Sequence, residues 1–342
     1  MSITIASIIY DDRSGSTFLS SLLNEVPCIF VTLESSILTI MARHGRVFCS
    51  RNEVIGVLKV LNEEKKFKDW KYNESIQSDL LNSLSYPISA TKFLEKLLVT
   101  IFPDSENCVN TVFVIKQIQV EYISLITEIF TELKFIMLYR DGRAVFASKK
   151  RSRHSMYHIP MAVNPVSAAK KWEGILNAKN RIGDVTNVFD IKYEDLLIRK
   201  YSLIEEIVEF LFGDKHAIDQ QAVLLASKCN RNIYAQTIPA SQRHLHQNIG
   251  KDAIVGRMDA WKHELSSMEI WLYERTVANR LKDYGYLLCN ETAPGKIDLV
   301  FYSLRIKLRE AAHIIKRKII KAKSIMGSPY TALAILSNKI QK

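Results

Sequence analysis

The sequence predicts an α/β, P-loop-like three-layer fold in which helices flank a central parallel sheet. Short apolar runs rich in Ile, Val and Phe alternate with helical patterns over most of the chain. Polar turns follow two of these runs, after Tyr10 and after Tyr139, where an open α/β sheet binds its ligands. The 342 residues are 47% hydrophobic and 24% charged, as expected for a globular protein with a sizeable core.

Each element follows from its local pattern. Buried strands are predicted at residues 3–10, 111–115, 134–139 and 185–191, and helices at 16–25, 118–133, 143–150, 164–180 and 204–212. Residues 43–110 have weak periodicity and many charges, and we interpret them as a mainly helical insertion that covers the acceptor side of the site. The chain then divides into a main domain, residues 1–290, and a tail, residues 291–342, joined by a linker at 290–295.

Several classes of protein are disfavoured by composition. No apolar run reaches the roughly 18 to 20 residues of a membrane-spanning helix, and the N-terminus lacks the basic segment of a signal peptide. The five cysteines are scattered and form no CxxC motif, so we expect neither a disulfide framework nor a zinc site. These features predict a protein of a reducing cytoplasm.

The first polar loop has the composition of an anion cradle. A strand that enters a small-residue turn and then a helix directs backbone N–H groups and the positive end of the helix dipole at one point. A lysine is absent from the place that a Walker A motif requires, which disfavours ATP chemistry. The residues predicted to bind the anion are Arg13, Ser14, Gly15, Ser16, Thr17 and Phe18.

A second polar loop follows the strand at 134–139. Arg140 and Arg143 bracket Asp141 and Gly142, and Ser148 lies eight residues after Arg140. An arginine presents a fixed fork of donors that suits a phosphate group. The alternative is that both arginines pair with acidic side chains, and the sequence leaves the two interpretations open.

Together the two loops resemble those of sulfotransferases that use 3′-phosphoadenosine 5′-phosphosulfate (PAPS), in the carbohydrate and tyrosylprotein branch and in a bacterial style. Residues 13–17 resemble the loop that holds the 5′-phosphosulfate, and Arg140 with Ser148 resembles the segment that holds the 3′-phosphate. Three later segments also match in order: Tyr193-Glu194-Asp195-Leu196, Val255-Gly256-Arg257 with Trp261-Lys262, and Tyr284-Gly285-Tyr286. Asp12 and Gly142 stand where the family usually has proline.

The resemblance implies roles for single residues. Tyr193 would lie near the adenine, and Gly256 and Arg257 would belong to a loop that closes over the 3′-phosphate. Lys116 precedes Arg140 by 24 residues, as a catalytic lysine does in many relatives, and would stabilise the leaving oxygen. A solvated lysine at the strand end is the alternative. The resemblance implies PAPS as donor, PAP as product and no metal.

On the same grounds we predict that Glu34 is the general base. Cytosolic relatives place a histidine two residues after the lysine, but this chain has Ile118 there. Other relatives use a glutamate after the first helix, and Glu34 lies 21 residues after Arg13, following a predicted short strand at 31–33. Glu34 could instead cap the helix that starts at Ser35. His44, His154 and His158 are further candidates, and the pair His244 and His246 lacks the partners of a metal site.

The tail is basic and amphipathic. The whole chain carries a net charge of +11, but residues 296–342 hold 11 Lys or Arg and two acidic residues. Apolar residues recur there at three- and four-residue steps, which predicts a helix. Residues 296–323 could bind an anionic membrane surface or pack on the domain with their lysines in water. No recognition motif for nucleic acid is present.

These observations predict a PAPS-dependent sulfotransferase that acts on a hydroxyl of a carbohydrate or glycolipid. The predicted location is cytoplasmic, with peripheral association at the inner face of the membrane. Two other functions remain open: a P-loop-type phosphotransferase or kinase, and a non-catalytic module that binds a nucleotide or a membrane.

Overall fold

The structure, a computed structural model, describes residues 2–70, 72–117, 119–154, 157–182, 187–213, 258–289 and 292–326. By its internal contacts the chain divides into two compact units. The first unit comprises Met1–Asp141 and Trp172–Met258, and the second comprises Gly142–Lys171 and Asp259–Lys342. Over the described ranges, no helix combines the length and the apolar character that crossing a bilayer would require.

A five-stranded parallel sheet forms the centre of the first unit, which confirms the predicted fold class. Its strand order is β2-β5-β1-β6-β7, and β1 pairs with both β5 and β6, so that Ile8 lies beside Lys116 and Ile136. The inner strands read as continuous apolar runs because both faces of the sheet are covered. The strands are β1 Ser2–Tyr10, β2 Ile29–Val31, β5 Asn110–Gln117, β6 Lys134–Tyr139 and β7 Val188–Lys192.

Helices cover the two faces of this sheet and form two apolar clusters. One cluster joins the sheet to the helices between β2 and β6, and the other joins it to the helices after β1 and β7. The helices of the first unit are α1 Ser16–Leu23, α2 Ile37–His44, α3 Arg51–Glu63, α4 Glu74–Ser83, α5 Ala90–Ile101, α6 Ile123–Ile129, α9 Tyr193–Ile198 and α10 Lys200–Phe212. A small antiparallel ladder joins β3 Val47–Phe48 to β4 Ile88–Ser89.

The predicted insertion contributes a layer of the fold. Helices α3, α4 and α5 lie within residues 43–110, and each begins at a side chain that caps its N-terminus: Ser50, Asn73 and Ser89 accept hydrogen bonds from the backbone three residues ahead. Their apolar faces belong to the cluster on one side of the sheet. The segment therefore completes the core, while its role as a cover over the acceptor stays a prediction.

The second unit is helical. It contains α7 Gly142–Arg151, α11 Trp261–Glu264, α12 Ser267–Asp283 and α13 Lys296–Met326, together with the start of α8 Pro165–Leu176. A capping box at Ser266 and Glu269 begins α12. The tail predicted to be helical is α13, which continues for 31 residues.

The prediction of no disulfide is wrong. Cys28 and Cys108 are bonded, at a sequence separation of 80. Cys28 directly precedes β2, and Cys108 lies two residues before β5, so neighbouring strands bring the two together. The spacing in the sequence could not reveal the pair, because only the strand order places their starts side by side.

Candidate functional site

All five parallel strands point their carboxyl ends to one edge of the sheet, and the predicted site residues of the first unit follow those ends. Arg13 to Phe18 follow β1, Glu34 follows β2, Lys116 lies near the end of β5, Arg140 follows β6, and Tyr193 follows β7. This is the edge at which open parallel sheets bind ligands. The topology therefore gathers residues from distant parts of the chain.

The first loop is a tight turn between β1 and α1. Arg13 and Gly15 both have left-handed backbone angles, with φ of 74° and 101°, and the Ser14 N–H donates to the carbonyl of Asp11 at 3.0 Å. Helix α1 begins at Ser16, so the N–H groups of its first turn have no partner within the helix. The Ser14 hydroxyl is buried without a hydrogen-bond partner among the described residues. The turn thus fits a phosphate or sulfate group.

The remaining residues of this loop are partly or fully buried at the start of α1. Ser16 is buried at the start of α1, and Thr17 is half-buried beside it. The Thr17 carbonyl accepts a hydrogen bond from the Ser21 hydroxyl at 2.9 Å. The Phe18 ring packs against the apolar cluster beneath α1, so its backbone, rather than its side chain, remains the group that faces the turn.

Gly15, Tyr193 and Arg140 are in direct contact. A Cβ atom on Gly15 would lie 2.2 Å from the Tyr193 ring, and the Arg140 guanidinium carbon lies 4.6 Å from the centre of that ring. An Arg140 N–H also donates to the Arg13 carbonyl at 3.5 Å. Three motifs that are separate in the sequence thus meet at one place.

Two further residues fix the Arg140 loop, and neither had been predicted to act there. The Trp172 indole N–H donates to the Arg140 carbonyl at 2.9 Å, and the Asp141 N–H donates to the Glu194 carboxylate at 3.1 Å. Burial raises the pKa of Glu194 above its usual range, although hydrogen bonds from the backbone oppose this. The sequence feature that could have identified Glu194 is its position directly after Tyr193, in the motif that resembles the sulfotransferase pattern.

Lys116 is buried, unlike the solvated lysine of the alternative interpretation. Only 5% of the residue is exposed, and its ammonium nitrogen lies 5.5 Å from the centre of the Tyr10 ring. The carbonyl of Lys116 accepts the Ser35 N–H at 3.4 Å. That bond joins the end of β5 to the loop that carries Glu34.

The Glu34 loop is fixed by the turn after α3. Glu34 forms an ion pair with Lys66, and Glu64 accepts hydrogen bonds from the Ser35 hydroxyl at 2.6 Å and the Ser36 N–H at 2.7 Å. The strand predicted at 31–33 lies two residues earlier, at Ile29–Val31. The start of α2 is capped by the Ser35 hydroxyl, so Glu34 does not cap this helix.

Arg143 and Ser148 lie on α7 of the second unit. Arg143 is buried, pairs with Glu274, donates to the Leu287 carbonyl at 2.8 Å, and lies 4.0 Å from the Trp261 ring centre. Arg143 therefore pairs with an acidic side chain, as the alternative interpretation of this loop predicted. Ser148 is buried on the same helix.

Some predicted residues are not described or lie elsewhere. Gly256, Arg257, His244 and His246 are outside the described residues. The His44 ring interacts with the carbonyl of Ile40 on its own helix at 2.8 Å. In the part of the chain that the structure describes, His, Cys, Asp and Glu side chains do not gather in threes as a metal site would require.

Comparisons with known proteins identify the family. A profile of the sulfotransferase family matches residues 11–213, more than half of the chain. The sulfotransferase domain from the curacin biosynthetic pathway has the same fold, with a TM-score of 0.51 at 18% identity over 84% of this chain and 99% of that chain. Curated protein sequences yielded no match.

Two more solved structures are similar at lower scores. The sulfotransferase domain from the Synechococcus PCC 7002 olefin synthase has a TM-score of 0.48 at 17% identity, over 80% of this chain and 94% of that chain. The sulfotransferase STF9 from Mycobacterium avium has a TM-score of 0.43 at 12% identity, over 86% and 79%. The matched residues 11–213 include the first loop, Glu34, Lys116, Arg140 and Tyr193, and the chain belongs to the sulfotransferase family of enzymes.

Proposed function

We propose that this enzyme transfers the sulfonyl group of PAPS to a hydroxyl of a carbohydrate or glycolipid. The observation that carries the proposal is the contact of Gly15, Tyr193 and Arg140 at the carboxyl edge of the sheet. In this contact a turn of the kind that binds anions lies beside a guanidinium group, which also favours anions. A nucleotide with phosphate groups at two ends requires such a pair.

The proposed donor site combines residues of the first unit with residues that the resemblance implies. The backbone of Gly15 to Phe18, with the Ser14 hydroxyl, binds the 5′-phosphosulfate, because these groups surround the start of α1. Arg140 binds the 3′-phosphate from a loop that Trp172 and Glu194 keep in place. Tyr193 supports Arg140 through its ring and borders the adenine. Roles of Ser148, Gly256 and Arg257 at the 3′-phosphate are proposed on the sequence resemblance alone.

Glu34 and Lys116 supply the chemistry. Glu34 accepts the proton of the acceptor hydroxyl, whose oxygen forms the new O–S bond while the S–O bond to the phosphate breaks. Lys116 stabilises the negative charge that develops on the departing phosphate oxygen, and its burial strengthens this effect. The bond between Ser35 and the Lys116 carbonyl keeps the two groups in register. The reaction as written needs no metal.

The proposed class of acceptor follows from the type of general base. This chain has Ile118 at the position of the histidine base of cytosolic relatives. A glutamate base is instead the pattern of relatives that sulfate sugars or protein tyrosines. A glycolipid acceptor would agree with the basic helix α13, and the cytoplasmic location stays a proposal with it.

A binding and activity experiment separates the proposed function from its alternatives. In a thermal-shift assay, PAP should raise the melting temperature of the protein and ATP should not. In Glu34→Gln and Lys116→Met, sulfation of a glycolipid mixture from [35S]PAPS should fall by a factor of about 10² or more, with PAP binding retained in Glu34→Gln. Glu63 and Lys68 are exposed residues of the same types. Glu63→Gln and Lys68→Met are therefore matched controls, which should keep wild-type activity.

Each alternative predicts a different result. An equal shift with ATP, or a shift with ATP alone, would favour a phosphotransferase. A shift with PAP without sulfation of any hydroxyl acceptor would favour a non-catalytic module. Full activity in Glu34→Gln would show that another group is the base.

A further inference from the structure

Helix α13 exposes more apolar side chain than any other described element. Among the described residues, eight of the fourteen large hydrophobic side chains that are exposed lie on this one helix, with exposures of 50% to 72%. Scattered single apolar residues on a surface need no explanation, but a continuous set on one helix indicates an interaction surface.

The helix has two separate apolar faces. The first is packed in the second unit: Ile306 is 4% exposed, the Tyr302 hydroxyl is buried, and the Arg317 guanidinium carbon lies 5.7 Å from the Tyr157 ring centre. With about 100° between successive residues, the exposed side chains lie on a second face, roughly opposite. We call this second face the exposed stripe: Val300, Phe301, Leu304, Leu308, Ile315 and Ile319.

Basic residues border the exposed stripe on both sides. On the helical projection, Lys307 and Lys318 lie along one border, and Arg305 and Lys316 lie along the other; all four are exposed. The segment 296–342 holds 11 Lys or Arg against two acidic residues, so this charge is not balanced locally. An apolar centre between two cationic borders is the pattern of a helix that lies in the interface of an anionic bilayer.

We propose that the exposed stripe of α13 binds the surface of a bilayer that contains anionic lipids. The apolar side chains would enter the acyl boundary, and the four bordering cations would contact lipid phosphates. The inference concerns a different surface from the nucleotide site, and it does not depend on the roles of Glu34 and Lys116.

Charge disfavours the other occupants of this surface. A second copy of the chain would place the basic borders of both helices against one another, which is repulsive. The segment that follows α13, residues 327–342, contains no Asp or Glu that could neutralise these borders. An anionic surface complements the stripe and its borders at the same time.

Vesicle sedimentation of the full-length protein tests the proposal. The protein should pellet with vesicles of 30% phosphatidylglycerol in phosphatidylcholine and stay in the supernatant with phosphatidylcholine alone. Removing two bordering charges in Lys307→Gln/Lys318→Gln should weaken binding by about thirtyfold, since each is worth about one kcal/mol at such a surface. Leu304→Gln/Leu308→Gln should weaken binding at least tenfold. Both variants should keep the wild-type melting temperature, because the changed side chains are exposed.

The control alters equivalent residues on the first unit. Ile198 is 68% exposed, and Lys96 is also exposed, so Ile198→Gln/Lys96→Gln should bind vesicles as the wild type does. Equal binding by all variants, or no binding by the wild type, would overturn the proposal. A dimer that dissociates in Leu304→Gln/Leu308→Gln, without binding to vesicles, would assign the stripe to a second copy instead. None of these results involves PAPS or sulfation, so the proposed function is tested separately.

Discussion

At the scale of single residues, both the backbone conformation and the neighbouring Tyr193 ring require a glycine at the position of Gly15. Its φ of 101° lies in the left-handed region, and the Tyr193 ring occupies the space of a β-carbon. That backbone conformation costs an L-residue about 1–2 kcal/mol, and any side chain would also displace the ring. Because Tyr193 lies against Arg140, displacing it would disturb the proposed 3′-phosphate contact.

Gly15→Ala should therefore lose both stability and nucleotide binding. We expect its free energy of unfolding to fall by about 1–2 kcal/mol and its affinity for PAP to fall at least tenfold. Urea denaturation and calorimetric titration measure the two effects. The matched control is Gly56→Ala in the middle of α3, where no described atom other than those of the adjacent residues and of the local helix backbone lies within 4 Å of the new methyl group. That change should stabilise the protein by about 0.5–1 kcal/mol and leave PAP binding unchanged. Wild-type affinity in Gly15→Ala would contradict the close contact with Tyr193.

Glu194 shows how the same site depends on pH. Burial raises the pKa of its carboxyl above the usual value of 4.5. A raised pKa means that the folded protein prefers the protonated acid. Its stabilising contribution is thus fully present below the pKa of the unfolded chain and is lost as the pH rises through the pKa of the folded state. At neutral pH the buried carboxylate opposes folding, although it still accepts the Asp141 N–H.

Glu194→Gln keeps an acceptor for that N–H and removes the charge. Relative to the wild type, this variant should gain stability as the pH rises from about 4.5 to about 8, while its PAP affinity stays within a few-fold. Glu194→Ala also loses the acceptor and should lower the free energy of unfolding by about 1–3 kcal/mol. Urea denaturation at the two pH values measures the difference. A stability gap between Glu194→Gln and the wild type that does not change with pH would contradict the raised pKa.

At the scale of elements, the turn after α3 controls the loop that carries Glu34. Glu64 accepts two hydrogen bonds from Ser35 and Ser36, and Lys66 pairs with Glu34 itself. The Ser35 N–H donates in turn to the carbonyl of Lys116. The proposed base is thus positioned between the end of β5 and a turn that belongs to the helical insertion.

Glu64→Ala should separate positioning from binding. Without its carboxylate, Ser35 and Ser36 lose their acceptors, and we expect kcat to fall about tenfold while PAP affinity is unchanged, because displacing a catalytic group by about 1 Å can cost up to about 10² in rate. Glu63→Ala, one residue earlier and exposed, is the matched control and should behave as wild type. Steady-state sulfation kinetics with a PAP titration decide the point. A loss of PAP affinity equal to the loss in kcat would indicate general disruption instead.

At the scale of the whole molecule, the sequence predicted what is local or repeated along the chain. Strand β6 was predicted with its observed bounds, and the start of α1 at Ser16 was also predicted, because apolar runs and turn residues are local signals. The contact of Gly15 with Tyr193 and the pairing of Glu34 with Lys66 depend on strand order and on how the insertion packs. Neither spacing nor composition contains that information.

The bond between Cys28 and Cys108 is the long-range feature that most changes the view of the whole chain. It joins the starts of β2 and β5 at the edge opposite to Glu34 and Lys116. The two cysteines are 80 residues apart in the sequence. The segment between them contains α2 to α5, which form most of one layer of the fold. Disulfides form and persist in oxidising compartments, whereas the sequence analysis predicted a reducing cytoplasm. The state of these two cysteines therefore bears on where the protein works.

The disulfide predicts a thiol count and a loss of stability on its removal. Among the described residues Cys49 and Cys289 are free thiols, and Cys229 lies outside them. With one bond among five cysteines, we expect the unfolded, unreduced protein to react with three equivalents of Ellman's reagent, and with five after reduction. Closing a loop of this length stabilises a protein by about 4 kcal/mol through the lower entropy of the unfolded chain. Cys28→Ser/Cys108→Ser should lose about that amount, whereas Cys49→Ser, which changes an exposed free cysteine, should lose little. Five reactive thiols in protein purified under oxidising conditions would contradict the bond, and that count needs no folded variant. Three thiols in protein taken directly from cells and quenched with acid would favour an oxidising compartment, because glutathione and thioredoxin keep most cytosolic thiols reduced.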